Sequence, residues 1–255
     1  LPSSEPSATL AGRRVEAEIL DELPPGDERA RRSRRDLQRV HKVMGSVSVL
    51  KKAAAKLQLA DTPRSIVELG AGDGTLLLRF ARSLTPRWQN VHLTLLDRHD
   101  IVAPQTLQDY RDLGWQVSVA CEDALDWARN PGRDSVDLCM ANLFLHHFDE
   151  SRLRILLGGI ESRSRAFIGV EPRRNRFAHL GSRLIGLLGT NAVTRNDAVA
   201  SVIAGFRGSE ISQAWTGAAE AWWVDEFNAP PFSHCFLAAR RSVRAPHALG
   251  GARAT

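Results

Sequence analysis

The stretch Ser65-Ile-Val-Glu-Leu-Gly-Ala-Gly-Asp-Gly-Thr75 constrains this chain more than any other. An apolar run from Ile66 to Leu69 ends in Gly70-Ala71-Gly72-Asp73-Gly74, and Leu77, Phe80, Ala81 and Leu84 follow at helical spacing. The pattern predicts a strand, a glycine turn and a helix. Glycines there let the backbone bend tightly and let a ligand approach without meeting a Cβ. The helix start turns free N–H groups toward that ligand. Dinucleotide enzymes carry G-x-G-x-x-G; here the spacing is G-x-G-x-G, and Glu68 stands before the first glycine. A carboxylate so close repels a pyrophosphate and suits a cationic amino group or a sulfonium.

The residues Glu68-Leu-Gly70-Ala71-Gly72-Asp-Gly74 resemble the first motif of class I S-adenosylmethionine (SAM)-dependent methyltransferases. The resemblance spans roughly residues 60–240. It implies SAM as cofactor, held by Glu68, Gly70, Ala71, Gly72 and Gly74, on a Rossmann-like sheet of seven strands with the last one reversed. Later strand ends are read in the same frame. Val91–Asp97 ends in an acid that can accept both ribose hydroxyls, with Arg98 beside it. The third strand runs into Asp123-Ala124, which the resemblance places at the adenine, while Asp123 can equally cap the helix that follows. The fourth leads through Asn142 to His146 and His147. The resemblance places this strand end near the cofactor's methyl group, so Asn142 is expected at the cofactor and the two histidines are candidate bases. The fifth ends in Glu171-Pro-Arg-Arg174, a rim where Glu171 and Arg174 could meet a substrate or pair in a salt bridge. His179 and His234 complete the set of bases within reach of an acceptor. No metal centre is expected, because the His-His pair lacks an evident carboxylate partner.

Apolar strand-like runs appear at 65–69, 91–96, 116–121, 135–142 and 166–170, with helical patterns near 74–84, 103–112, 123–129 and 149–162. This alternation predicts an α/β fold, a mostly parallel sheet with helices on both faces. Trp222–Phe227 and Phe232–Leu237 read as a closing antiparallel hairpin around Pro230-Pro231. Residues 1–60 read as an N-terminal helical cap, with a short helix within 8–22, a second after Asp27 and a third from Ser46. Residues 61–241 form the methyltransferase-like domain, 173–209 a helical lid over an acceptor pocket, and 242–255 a loose tail. Thr194–Asp197 reads as a capping box that opens the second lid helix.

The formal charge of +5 is uneven. Residues 27–42 hold seven Lys/Arg and three Asp/Glu, the segment 240–255 holds four Arg, and the rest of the chain is slightly acidic. The arginine-rich helix near 29–42 can serve nucleic acid, acidic lipid or an anionic substrate, but no aromatic residues are interleaved for base stacking, so a solvated cap helix is the favoured reading. Cys121, Cys139 and Cys235 are odd in number and widely spaced, two of them in apolar strand patterns, as expected for reduced thiols in the cytoplasm. No apolar run approaches the ~20 residues of a membrane span.

The expected activity is methyl transfer from SAM to a small, largely apolar acceptor. A weaker likeness to methyltransferases found beside type III polyketide synthases, in Glu171–Arg176, Thr194–Ala198 and Phe232–Phe236, implies a phenolic or polyketide hydroxyl and a place in secondary metabolism. The alternatives are an RNA or DNA methyltransferase, a non-catalytic SAM-binding partner and, least favoured, an NAD-type oxidoreductase. Asn142-Leu-Phe-Leu stands where base-amino methylating relatives carry an Asn/Asp-Pro-Pro-aromatic tetrapeptide. The oligomeric state is not legible.

Overall fold

The computed structural model describes residues 10–130 and 135–245. The part of the expected N-terminal cap that falls on residues 1–9, and the tail beyond 245, lie outside the described residues. Seven strands, β1 (Ser65–Leu69), β2 (His92–Asp97), β3 (Gln116–Cys121), β4 (Leu138–Asn142), β5 (Ala166–Pro172), β6 (Trp222–Ala229) and β7 (Ser233–Arg240), form one sheet in the order β3-β2-β1-β4-β5-β7-β6. β1 to β5 are parallel, and β7 runs antiparallel to both β5 and β6. Six strands therefore point one way and β7 the other, the doubly wound α/β arrangement that the alternation predicts.

The period of two along each strand divides the core between the two faces. Ile66 packs with Leu50, Leu57, Leu77 and Phe80 on one face, and Val67 and Leu69 pack with Trp127, Leu156 and Ile160 on the other. The first face is covered by α3 (Ser46–Leu57), α4 (Thr75–Ser83) and α5 (Pro104–Asp112), the second by α6 (Ala124–Arg129) and α7 (Glu150–Arg163). Glu68, between Val67 and Leu69, points to the first face and meets no apolar neighbour's need; its carboxylate is buried at the strand's carboxyl end.

The N-terminal part departs from expectation. Among the described residues before Pro24 only α1 (Ile19–Glu22) is helical, and residues 13–18 form no helix. Arg13 instead donates to the carbonyls of Leu145, His146, Phe148 and Ala204, and its guanidinium lies 4.5 Å from the centre of the Phe206 ring. Asp197 accepts from the amides of Ile19 and Leu20 at 2.9 and 3.0 Å. These bonds stretch residues 13–20 across the carboxyl end of the sheet, where a free helix would have paired its own amides. Next come α2 (Glu28–Val43), capped by Asp27, and α3, set off by Gly45 at φ +66°.

Beyond β5 lie α8 (Arg176–Leu184), a 3-10 turn (Ile185–Leu188), α9 (Ala192–Ala204) and α10 (Glu210–Ala214). The cap of α9 is Asn191, whose Oδ1 accepts from Thr194 N–H at 2.8 Å, and not the Thr194–Asp197 box. Asp197 is spent on the strap. Residues 242–245, expected in a loose tail, are packed: Arg244 donates to Leu57 O and Gln58 Oε1 and lies over Trp223, and Ala245 N–H donates to Gln58 O.

A candidate active site at the carboxyl end of the sheet

β1 delivers the chain into three glycines of positive φ, Gly70 at +66°, Gly72 at +55° and Gly74 at +70°. They serve different ends. A Cβ on Gly70 would stand 2.2 Å from the Phe144 ring, so that glycine allows the loop after β4 to pack on the turn. A Cβ on Gly72 would meet nothing within 4 Å, so that glycine faces open space. The turn is pinned from β2: Asp97 Oδ2 accepts from Gly72 N–H at 2.9 Å, and its Oδ1 accepts from His99 N–H at 3.0 Å. Arg98, exposed beside it, lies 3.5 Å from Asp21 of the strap.

Glu68, Asp73 and Asp97 gather around this turn. Burial, then the charges of Asp73 and Asp97, holds the Glu68 carboxyl well above the usual carboxylate range. Its Oε2 and the Oδ1 of Asn142 at the end of β4 are buried without a hydrogen-bond partner. Two orphaned acceptors, three carboxylates and an open glycine cradle fit a cationic nucleoside such as SAM. They do not fit a pyrophosphate, which the acids would repel. Asp123 caps α6 through a 2.7 Å bond to Leu125 N–H, and Ala124 is buried behind it.

The loop after β4 is organised by one carboxylate. Glu171, fully buried at the end of β5, accepts from the amides of Phe144, Leu145 and His146 at 3.0, 2.8 and 3.3 Å, and from His146 Nδ1 at 2.8 Å. The Nε2 of His146 lies 3.2 Å from Glu18 Oε1. Burial alone would lower the pKa of His146; the bonds to Glu171 and Glu18, and their charges, outweigh it and raise the pKa to about 9. His146 is thus an imidazolium clasped by two carboxylates. His147 is more open, with Nδ1 3.0 Å from Asp21 Oδ2 and Nε2 3.9 Å from Glu18 Oε2. Burial raises the Glu18 pKa, but the bond and charge of His146, the nearby His147 and the bond from Ser201 outweigh it, and the pKa is lowered.

Glu18 is the carboxylate that the His-His pair seemed to lack. It offers one ligand atom, as His146 and His147 do, within 4.8 Å of theirs, a set that could hold a metal ion. The hydrogen bonds these groups make directly, with His146 protonated, account for the cluster as an ion-paired clasp. No spacing rule links Glu18 to residues 128 positions away.

A cavity of about 300 Å³ opens beside the strand ends, bounded by Leu143 after β4, Pro172 of β5, Leu37, Val40, Val43 and Met44 from α2, and side chains of α8, the 3-10 turn and α9. Glu18 is part of its wall. The residues expected at the substrate are absent from that wall. Glu171 serves the loop. Arg174 is buried against Glu210 and Gly205 O. His234 is buried in β7 with Nε2 2.7 Å from Glu226 and Nδ1 3.2 Å from Asn228. His179 is buried in α8, its pKa lowered first by burial and then by Arg183. Their positions at strand ends and on a lid helix were legible; the direction of their side chains was not.

The family model described as "Methyltransferase domain" matches residues 66–163. No curated protein matches the chain. Among solved structures it is similar to the plantazolicin methyltransferase BpumL in complex with SAH, at 15% identity over 85% of this chain and 92% of that one, with a TM-score of 0.62. It is also similar to the plantazolicin methyltransferase BamL, at 15% identity over 84% and 91%, TM-score 0.59. An O-methyltransferase family protein from Burkholderia thailandensis matches at 20% identity over 92% and 67%, TM-score 0.54. At these identities the likeness is one of fold. Residues 66–163, with the glycine turn after β1, are similar to a methyltransferase domain, and the chain shares its fold with these solved methyltransferases.

Proposed function

We propose that the chain moves a methyl group from SAM to a small, largely apolar acceptor, at a phenolic or polyketide-type hydroxyl. The observation that carries this reading is the cavity beside Leu143, immediately after Asn142 of β4. Its polar lining groups are mostly engaged among themselves: Ser33 with Thr194 at 2.8 Å, Asp197 with the strap amides, Ser201 with Asp197 O at 2.7 Å. What remains for an acceptor is aliphatic wall and the Oε2 of Glu18, whose Oε1 is taken by His146 Nε2 and Ser201 Oγ.

When bound, SAM supplies an electrophilic methyl group on a sulfonium that leaves as a neutral thioether. The residues of the chain align the acceptor and exclude water. The reading places Asp97 at the ribose, Asp123 and Ala124 at the adenine, and Glu68 and Asn142 at the cationic end of the cofactor. An acceptor hydroxyl in the cavity donates to ionised Glu18. His147, with Nε2 3.9 Å from Glu18 and Nδ1 held by Asp21, receives the proton as the oxygen is methylated. His146 holds the loop and stays protonated.

The test is turnover of methyl-labelled SAM with phenols of increasing alkyl length. Transfer that strengthens with chain length supports the reading. Tight SAM binding with no transfer to any acceptor would favour a non-catalytic partner. Labelling of RNA with steep salt dependence would favour a nucleic-acid enzyme.

A further inference from the structure

α8 is built inside out. Its buried side carries Ala178, His179 and Ser182, while Phe177, Leu180 and Leu184 face solvent at 60, 55 and 50% exposure. Leu187, one turn further on, is 84% exposed, and Val43 at the end of α2 is 60% exposed. These five are most of the large apolar side chains exposed among the described residues. Val43, Leu184 and Leu187 also line the cavity, so the exposed patch and the cavity are continuous. A patch of this kind marks a docking surface.

The exposed charges from the end of β5 to the first turn of α9 have one sign. Residues 172–196 contain five arginines and no acid. Arg176, Arg183 and Arg195 are exposed there, and Lys42 is exposed beside Val43. A symmetric pairing of two copies through this patch would set arginines against arginines. Among the described residues no helix is long and apolar enough to cross a membrane. We propose that this rim docks on an anionic lipid bilayer, the leucines and Phe177 entering the acyl boundary and the arginines meeting lipid phosphates. The cavity mouth then opens into the bilayer, where a lipophilic acceptor resides. The proposal rests on the acceptor reading of the cavity for its purpose only; vesicle binding is measured without turnover, so either can fail alone.

The test is co-sedimentation with phosphatidylcholine vesicles with and without 30 mol% phosphatidylglycerol, a composition chosen at about the anionic content that attracts basic segments. Binding at least tenfold stronger to the anionic vesicles, weakened by high salt and lost in Leu180→Asp and in Arg183→Glu, is the expected result. Circular dichroism confirms that both variants fold, and neither residue lines the cavity. Equal failure to bind both vesicles overturns the proposal. So does a dimer in solution that Leu180→Asp dissociates, which would assign the patch to a second copy, or binding to an acidic protein without binding to vesicles.

Discussion

Glu171 Oε2 lies 2.8 Å from His146 Nδ1, and the same side chain takes three successive backbone amides of the loop after β4. One buried carboxylate therefore fixes both the loop and the orientation of the histidine ring that reaches Glu18. Replacing it by the neutral isostere, Glu171→Gln, leaves a buried imidazolium short of a partner. The expected cost is about 3 kcal/mol of stability, the scale of a broken buried pair, read by urea unfolding. A loss below about 1 kcal/mol, the scale of an ordinary hydrogen bond, would contradict this account.

The clasp also fixes a pH dependence. The pKa of His146 in the folded chain, about 9, stands above its ordinary value, so the stabilisation is complete below about pH 6.5 and is lost as the pH rises through 9. The melting temperature should fall between those limits, and His146→Gln should flatten that part of the curve. Glu18 acts in the opposite sense: its lowered pKa means its contribution is present above the usual carboxylate range and fades in acid. Chelators should change neither curve.

The two glycines of the turn should separate under substitution. Gly70→Ala sets a methyl 2.2 Å from Phe144 and should lower stability severely. Gly72→Ala meets open space and carries only the strain of positive φ, about 1–2 kcal/mol, so it should fold and bind SAM poorly. Thermal melting paired with calorimetry distinguishes them, and full SAM affinity in Gly72→Ala would remove the cofactor from this turn.

Asp97→Ala should weaken SAM binding by about tenfold or more, since it removes charge-assisted bonds and frees Gly72 N–H. Isothermal calorimetry reads the effect directly. A variant that binds as tightly as the parent would show that Asp97 only shapes the turn.

Glu68 gives a different signature. Burial, then the charges of Asp73 and Asp97, raise its pKa in the free protein, and a cation arriving beside it favours the charged form, so SAM binding in the range of that raised pKa should release a proton. The calorimetric enthalpy should then depend on the ionisation heat of the buffer, and Glu68→Gln should abolish that dependence. A buffer-independent enthalpy in the parent would rule out this exchange.

His147→Ala should lower turnover at least tenfold while SAM affinity holds, because the ring lies beyond Glu18 and not at the glycine turn. Equal activity in parent and variant would leave Glu18 as the sole proton acceptor.

Strand and helix positions were legible because burial repeats at fixed local periods. β1, β3 and α6 fall within a residue of the pattern, and the glycine turn reads directly from Glu68 to Gly74. The site's polar partners were not legible, because they are made between distant segments. Glu18 meets His146 across the chain, Asp197 is taken by the strap before it can cap its own helix, and Glu171 turns inward to the loop and away from the acceptor. In α8 the limit is different: its leucines keep a helical period, which gives the stripe but not whether core or solvent receives it.

Glu18 reaches the cavity from residues that precede the matched domain by nearly fifty positions. On the proposed reading, acceptor choice is encoded apart from cofactor chemistry. Grafting a different strap onto an unchanged catalytic half is a route by which one methyl donor could be redirected to new targets, with the sheet and its glycine turn left untouched.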